Sequence, residues 1–131
     1  MLRGLVLDYA GVLTDTAGGN LLVAVETARD QGIRTALLSN AAGGGAARRA
    51  MRPYFDAVVF SGEVGVAKPE AEVYRITADL LGLPVQTCVF VDDSASNVAA
   101  AVAVGMVGVQ HTSVQETLTE LAALFPGILD P

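Results

Sequence analysis

Long hydrophobic runs, cysteine pairs and positive charge are what this sequence has least of. Its longest uninterrupted apolar stretches, such as Leu5-Val6-Leu7 and Val98 to Val104, fall far short of the roughly 20 residues that span a bilayer. The N-terminus has one Arg and a brief apolar stretch ending in an acid, which does not read as a signal peptide. The single cysteine, Cys88, has no partner for an internal disulfide. Within an apolar, strand-like run it reads as a buried, inert thiol, which implies a reducing compartment, the cytoplasm. Bases number eight against fourteen acids, a net charge of −6. A folded domain with that balance repels polyanions, so neither nucleic acid nor an anionic membrane is an expected partner. Polar low-complexity tracts are absent. With 52% apolar and 17% charged residues, the composition is that of a chain that folds.

What is present is an alternation. The 131 residues fit one domain, residues 1–131, with a tail over 126–131. Apolar runs of strand length, Leu2 to Leu7, Ile33 to Leu38, Ala57 to Phe60, Thr87 to Val91 and Val107 to Gln110, alternate with helical patterns. The helices are expected at Leu21 to Gln31, with Asn20 as N-cap and Gly32 as stop, and in a short Ala/Arg segment after Gly43-Gly44-Gly45. Others are expected over Glu70 to Leu81 with Pro69 in the first turn, Ser94 to Val104, and Val114 to Leu124. This pattern predicts an α/β fold: a doubly wound, Rossmann-like, mostly parallel five-stranded sheet with helices on both faces. Ligands of such sheets bind beyond the carboxyl ends of the strands.

Just past those ends come Asp8, Ser39-Asn40, Lys68 and Asp92-Asp93. Each has an ordinary explanation by itself: a turn or helix-capping Asp, a loop Ser-Asn before glycines, a solvated Lys. Together they place three carboxylates, a hydroxyl and the only lysine at one end of the sheet. Carboxylates so gathered repel one another unless a cation is shared, and hard oxygen ligands suit magnesium with a phosphate. Lys68, Ser39 and backbone N–H groups at Asn40 and Ala41 are candidates to hold phosphate oxygens. Asp8 is then placed to act as a carboxylate nucleophile.

Four segments resemble the motifs of the haloacid dehalogenase superfamily. Asp8-Tyr9-Ala10-Gly11-Val12-Leu13 followed by Asp15 is similar to the first, Leu38-Ser39-Asn40 to the second, and Gly65-Val66-Ala67-Lys68-Pro69 to the third. Val89-Phe90-Val91-Asp92-Asp93-Ser94, continuing through Asn97 to Gly105, resembles the fourth. The resemblance implies a phosphatase-type hydrolase that uses Mg2+ and forms an aspartyl-phosphate on Asp8. It implies Asp8, Asp92 and the Ala10 carbonyl as metal ligands, with Asp93 supporting the metal or Lys68. Ser39 and Lys68 would bind the phosphoryl group. A receiver domain combines similar residues in another order, its acidic pair after the first strand and its lysine after the last.

The sequence departs from the superfamily pattern twice. Its phosphatases carry a second Asp two residues after the nucleophile as general acid and base; here that residue is Ala10. Loss of such a group costs about 100- to 10,000-fold in rate, which favours leaving groups that need no proton, such as the acid released by an acyl phosphate. The alternative is a catalytically impaired module that binds phosphate, metal or a protein. Asp-x-Ala-Gly also resembles phosphonatases, but those need a second lysine, and dehalogenases lack the Asp92-Asp93 pair. The other departure is the short connection between Leu13 and Leu21, which leaves no room for a cap domain. An uncapped site is open to water, so the expected cover is a second subunit, as a homodimer, or a macromolecular substrate.

Of the remaining candidates, Gly43-Gly44-Gly45 lacks the Lys-Ser or Lys-Thr of a phosphate loop and reads as a flexible loop. His111, the only histidine, is expected in a surface loop. Tyr9 is placed to shape substrate entry. Glu63 reads as a partner of Lys68 or an Arg, or as a solvated acid.

Overall fold

The computed structural model describes residues 1–15 and 19–129. Five strands, β1 (Gly4–Leu7), β2 (Arg34–Ser39), β3 (Ala57–Phe60), β4 (Cys88–Asp92) and β5 (Val107–Gln110), form one parallel sheet in the order β3-β2-β1-β4-β5. The helices are α1 (Gly19–Asp30), α2 (Gly45–Met51), α3 (Ser61–Val64), α4 (Ala71–Leu81), α5 (Ala95–Val104) and α6 (Val114–Leu124). The expected α/β, Rossmann-like sheet is thus present. No cap domain is inserted between β1 and α1, where the described residues form a tight turn over Tyr9–Leu13.

Strand alternation sends side chains to two faces. Leu5, Leu7, Leu37 and Val91 pack with Leu21 and Val25 of α1 and Leu121 of α6. On the opposite face Val6, Leu38 and Phe90 pack with Val73, Tyr74 and Ala78 of α4 and with Ala101 of α5. Fully burying such side chains is worth about 1.5–3 kcal/mol each. An exposed pair such as Arg29–Asp56 is worth about 0–1 kcal/mol. The two apolar layers therefore hold the sheet. At β5 the approach is close: a Cβ on Gly108 would lie 2.7 Å from Val98 and 2.8 Å from Val102 of α5.

Helix boundaries follow local chemistry, with some departures from expectation. Ser94 and Ser113 cap α5 and α6 by accepting the N–H groups of Asn97 and Glu116. Gly82 and Gly105 end α4 and α5 in the left-handed conformation. Asn20 is not an N-cap, because α1 already begins at Gly19. Pro69 lies outside α4, whose N-cap is Glu70 with extended backbone. The tail expected over 126–131 turns back after α6, where Ile128 N–H donates to the Phe125 carbonyl. Its last two residues lie outside the described ones, as do residues 16–18 of the stretch before α1.

Chain order and strand order together create the ligand crevice. From β1 the chain crosses to β2 on one side, and from the adjacent β4 it crosses to β5 on the other. The carboxyl ends of β1 and β4 thus flank a topological switch point. Leu7 pairs with Val91, so the next residues, Asp8 and Asp92, emerge side by side.

Tyr74, fully buried on α4, links this core to that end of the sheet. It packs edge-on against Phe90 at 5.3 Å and donates to the Asn97 carbonyl at 2.8 Å. Burial, reinforced by the Asp92 charge, pushes its hydroxyl up to about 12. The protonated form is therefore favoured by folding, and its contribution is full below the unfolded value of about 10 and is lost as pH rises toward 12. Tyr74→Phe is expected to cost about 1 kcal/mol at pH 7 through the lost hydrogen bond. The deficit relative to wild type should shrink above pH 10, read by urea unfolding across pH 7 to 11.

Candidate active site

Lys68 is the centre of the arrangement. Its ammonium is 2.7 Å from Asp8 Oδ1, 3.0 Å from Asp92 Oδ2 and 3.0 Å from the Leu38 carbonyl. An ammonium has three N–H donors, and all three are used. The side chain is 5% exposed as a residue, with Asp8 at 7% and Asp92 at 1%. Its backbone is clasped by the Asn40 side chain, which accepts the Lys68 N–H at 2.9 Å and donates to the Lys68 carbonyl at 3.0 Å. The lysine is thus fixed from the end of β2 at its backbone and from β1 and β4 at its tip.

The carboxylates differ in environment. Burial raises Asp8 above the ordinary carboxylate range, and the Asp92 charge adds to this against the opposing pull of Lys68. Burial also opposes ionisation of Asp92. There the Ser94 N–H at 2.9 Å, Lys68 and the Asn97 amide at 3.0 Å outweigh it and hold the group low. Asp93 is exposed and raised by partial desolvation and by Asp92. It occupies space that Gly11 leaves: a Cβ at that residue, whose φ is 81°, would lie 2.2 Å from Asp93 Oδ2. A side chain at residue 11 would be strained and would displace this carboxylate.

Oxygens of Asp8, Asp92 and Asp93 lie within 4.8 Å of one another. When all three are ionised, the single ammonium leaves two negative charges uncompensated. That donor set, hard and net dianionic, fits a divalent cation of the magnesium type. These residues line a polar cavity of about 300 Å³ together with Ala10, Ser39 and Asn40. Ser39 is 6% exposed, and among the described residues no hydrogen bond engages its hydroxyl. Ala10 contributes no titratable group at the rim.

The residues singled out in the sequence therefore converge, with three differences of detail. His111 is not a surface residue: it is 4% exposed. Its N–H extends the sheet by donating to the Asp92 carbonyl at 2.8 Å, which draws the ring inward. Nε2 lies 3.0 Å from Asp15 Oδ2 and Nδ1 2.7 Å from the Thr117 hydroxyl. In a neutral ring, a carboxylate acceptor places the proton on Nε2, and Nδ1 then accepts from Thr117. The available signal was Thr117 itself, a polar residue in the buried stripe Val114, Thr117, Leu121 of α6. The Gly43-Gly44-Gly45 loop is tied rather than loose: Glu63, which takes the expected Arg partner in Arg48, also accepts the Gly44 N–H at 3.0 Å. The clasping role of the Asn40 side chain also goes beyond the backbone role expected of that residue.

Removing the ammonium tests the charge arrangement. Lys68→Met leaves two adjacent buried carboxylates, and the expected loss is about 3–5 kcal/mol at pH 7. It should shrink on acidification, because protonation relieves the repulsion. Asp8→Asn has the opposite sign. A carboxyl raised by folding weakens the fold once ionised, so this variant should be at least as stable as wild type at pH 7. Urea unfolding of both variants at pH 5 and 7 reads the two signs.

Comparison with known proteins agrees with this geometry. Residues 20–105 match the haloacid dehalogenase-like hydrolase family. A crystal structure of an uncharacterised protein from Corynebacterium glutamicum is 38% identical, with a TM-score of 0.89 over 95% of this chain and 96% of that one. A phosphatase of Mycobacterium tuberculosis is 31% identical over 116 residues, covering 79% of this chain and 54% of the relative. The chain thus spans about half the length of that curated relative, and 13% and 36% of two others that it matches. A haloacid dehalogenase-family enzyme from Bacteroides thetaiotaomicron, solved with magnesium and inorganic phosphate, shares the fold at 14% identity. Its TM-score is 0.68 over 87% of this chain and 96% of that one. The match across residues 20–105 and the arrangement at the strand ends make this chain a member of the haloacid dehalogenase-like hydrolases.

Proposed function

We propose that the chain is a magnesium-dependent phosphohydrolase of the phosphatase type that works through covalent phosphorylation of Asp8. The observation that carries the reading is the convergence of Asp8, Lys68, Asp92 and Asp93 on one polar cavity at the switch point. The magnesium and phosphate held by the Bacteroides enzyme of the same fold, and the phosphatase relative from Mycobacterium, support the same ligands here. Asp8, Asp92 and the Ala10 carbonyl would hold the metal, with Asp93 beside them. When bound it supplies positive charge to the phosphoryl oxygens.

The chain's own groups divide the remaining work. Lys68 engages Asp8 Oδ1 and leaves the other oxygen to attack phosphorus. As the substrate enters, Lys68 exchanges one of its three contacts for a phosphoryl oxygen. The Ser39 hydroxyl and the N–H groups of Asn40 and Ala41 hold the others. The P–O bond to the leaving group breaks as the bond to Asp8 forms, and water then cleaves the aspartyl-phosphate, releasing inorganic phosphate. At Ala10 no side chain can give the departing oxygen a proton. Good leaving groups, such as the carboxylate of an acyl phosphate, are therefore the substrates this site handles best.

Ala10 also favours a second reading, a phosphate- and metal-binding module without turnover. No described helix is long and apolar enough to cross a membrane. Buried Cys88 supports the cytoplasm as the compartment.

Phosphate release from acetyl phosphate and aryl phosphates, with and without magnesium, separates the two readings. Wild type is expected to turn over acetyl phosphate only with magnesium, and Asp8→Asn to lose at least about 1,000-fold, the scale on which loss of a nucleophile is felt. Ala10→Asp should gain about 100-fold or more on poor leaving groups. Silence from wild type and Ala10→Asp alike would leave the binding module.

A further inference from the structure

Beside the polar cavity lies a second one, of about 320 Å³, with a different character. Leu37 and Phe60 line its inner side, Ala47, Ala50 and Met51 of α2 its outer side, and Tyr9 its rim. No charged side chain lines it. Ser39 lines both cavities, so a ligand whose phosphoryl group meets Ser39 has an apolar space directly alongside. Tyr9 follows the proposed nucleophile in sequence and is 42% exposed, an aromatic ring with unused contact area at the entrance. The wall is held in place. Arg48 of α2 donates to the Val58 carbonyl at 3.1 Å, lies over the Phe60 ring and pairs with Glu63. Ala47 and Ala50 are small and exposed, and their size is what leaves the space open.

A cavity of roughly 150 Å³ accepts a benzene ring, and this one is about twice that. Water in such a space finds few polar partners, so its displacement by a hydrocarbon group is favourable. The rim residue Ala10 adds a second restriction, because the leaving group departs without a proton donor. An alcohol departs poorly under that condition and a carboxylate departs well.

We propose that the second cavity receives the apolar acyl group of an acyl phosphate whose phosphoryl group reacts in the first. This rests on the phosphohydrolase reading above and adds a subsite that selects an apolar acyl group. In the reaction an Asp8 oxygen bonds to phosphorus, and the bond from phosphorus to the acyl oxygen breaks. The electron pair leaves on that oxygen as a free carboxylate. Water then attacks phosphorus, its proton passes to solvent, and Asp8 returns as a carboxylate with inorganic phosphate released.

The test is a chain-length series with magnesium: acetyl, butyryl, hexanoyl and benzoyl phosphate, with hexyl phosphate as the same tail on a poor leaving group. A fully buried methylene is worth about fourfold, so kcat/KM should rise at least about tenfold from acetyl to hexanoyl phosphate. Ala47→Phe and Ala50→Phe fill the cavity from exposed positions, and each should lower the hexanoyl-to-acetyl ratio about fivefold or more. Turnover with a flat series would overturn the acyl-pocket assignment and leave the phosphohydrolase reading standing. Hydrolysis of hexyl phosphate as fast as hexanoyl phosphate would overturn the acyl part. If no substrate turns over, the phosphohydrolase reading fails, and binding of hexylphosphonate against methylphosphonate with magnesium, read by calorimetry, still decides the cavity. Tighter binding of the hexyl compound that is lost in Ala47→Phe upholds an apolar subsite, and equal binding overturns it.

Discussion

A lysine buried against two carboxylates is a costly object in any part of its construction. The ammonium alone would lose its hydration, and Asp8 beside Asp92 would repel, each in a medium that screens poorly. Assembled, they cancel much of that cost: Lys68 satisfies every donor it has, two of them on the carboxylates and one on the Leu38 carbonyl. Because Asp8 directly follows β1 while Asp92 and Leu38 lie in β4 and β2, the ammonium ties the ends of three neighbouring strands. Removal of Lys68 leaves two buried carboxylates with no counter-charge, which is far worse than never having built the group. The network is incomplete in sign, since Asp93 adds a third carboxylate nearby. The excess negative charge left at the mouth of the cavity is what the cation of the proposed reaction would offset.

Much of this was legible in the sequence because parallel strands buried on both faces read as continuous apolar runs. Ala57–Phe60 and Val107–Gln110 lie where the runs placed them, as does α6 over Val114–Leu124. The polar residues stood out against that background by position, at the ends of runs, and the structure brings Asp8, Ser39, Lys68, Asp92 and Asp93 to one cavity. Less legible were features that depend on which way a side chain turns. Nothing local distinguishes an Asn40 that offers its backbone from one whose amide clasps Lys68 across 28 residues. His111 at a strand end looks exposed until the sheet is extended by its own N–H and α6 closes over it. The apolar cavity was invisible for a related reason. It is made of absence, two alanines and a glycine loop that do not fill the space between β2 and α2.

The two cavities also differ in how they are maintained. The polar one is built from charges that fix one another. The apolar one depends on a helix of seven residues, too short to be stable by itself. It is held through Arg48, which reaches a strand carbonyl, an aromatic face and Glu63 at once. The amide of Gly44 adds a further tie to Glu63. Side-chain anchoring of this kind lets a short element serve as a wall although none of its residues is fully buried.

Residue 10 stands in contrast to Lys68. It lies exposed at the rim in a turn whose backbone, φ −68° and ψ 128° there, is open to any ordinary residue. Its side chain supports nothing, so the fold is indifferent to what it is. A lineage with this architecture can exchange an acid for an alanine at that point, and back again, without crossing an unfolded or unstable intermediate. In the proposed reaction, one substitution there would change the chemistry of the leaving group, while Lys68 stays locked by the needs of folding.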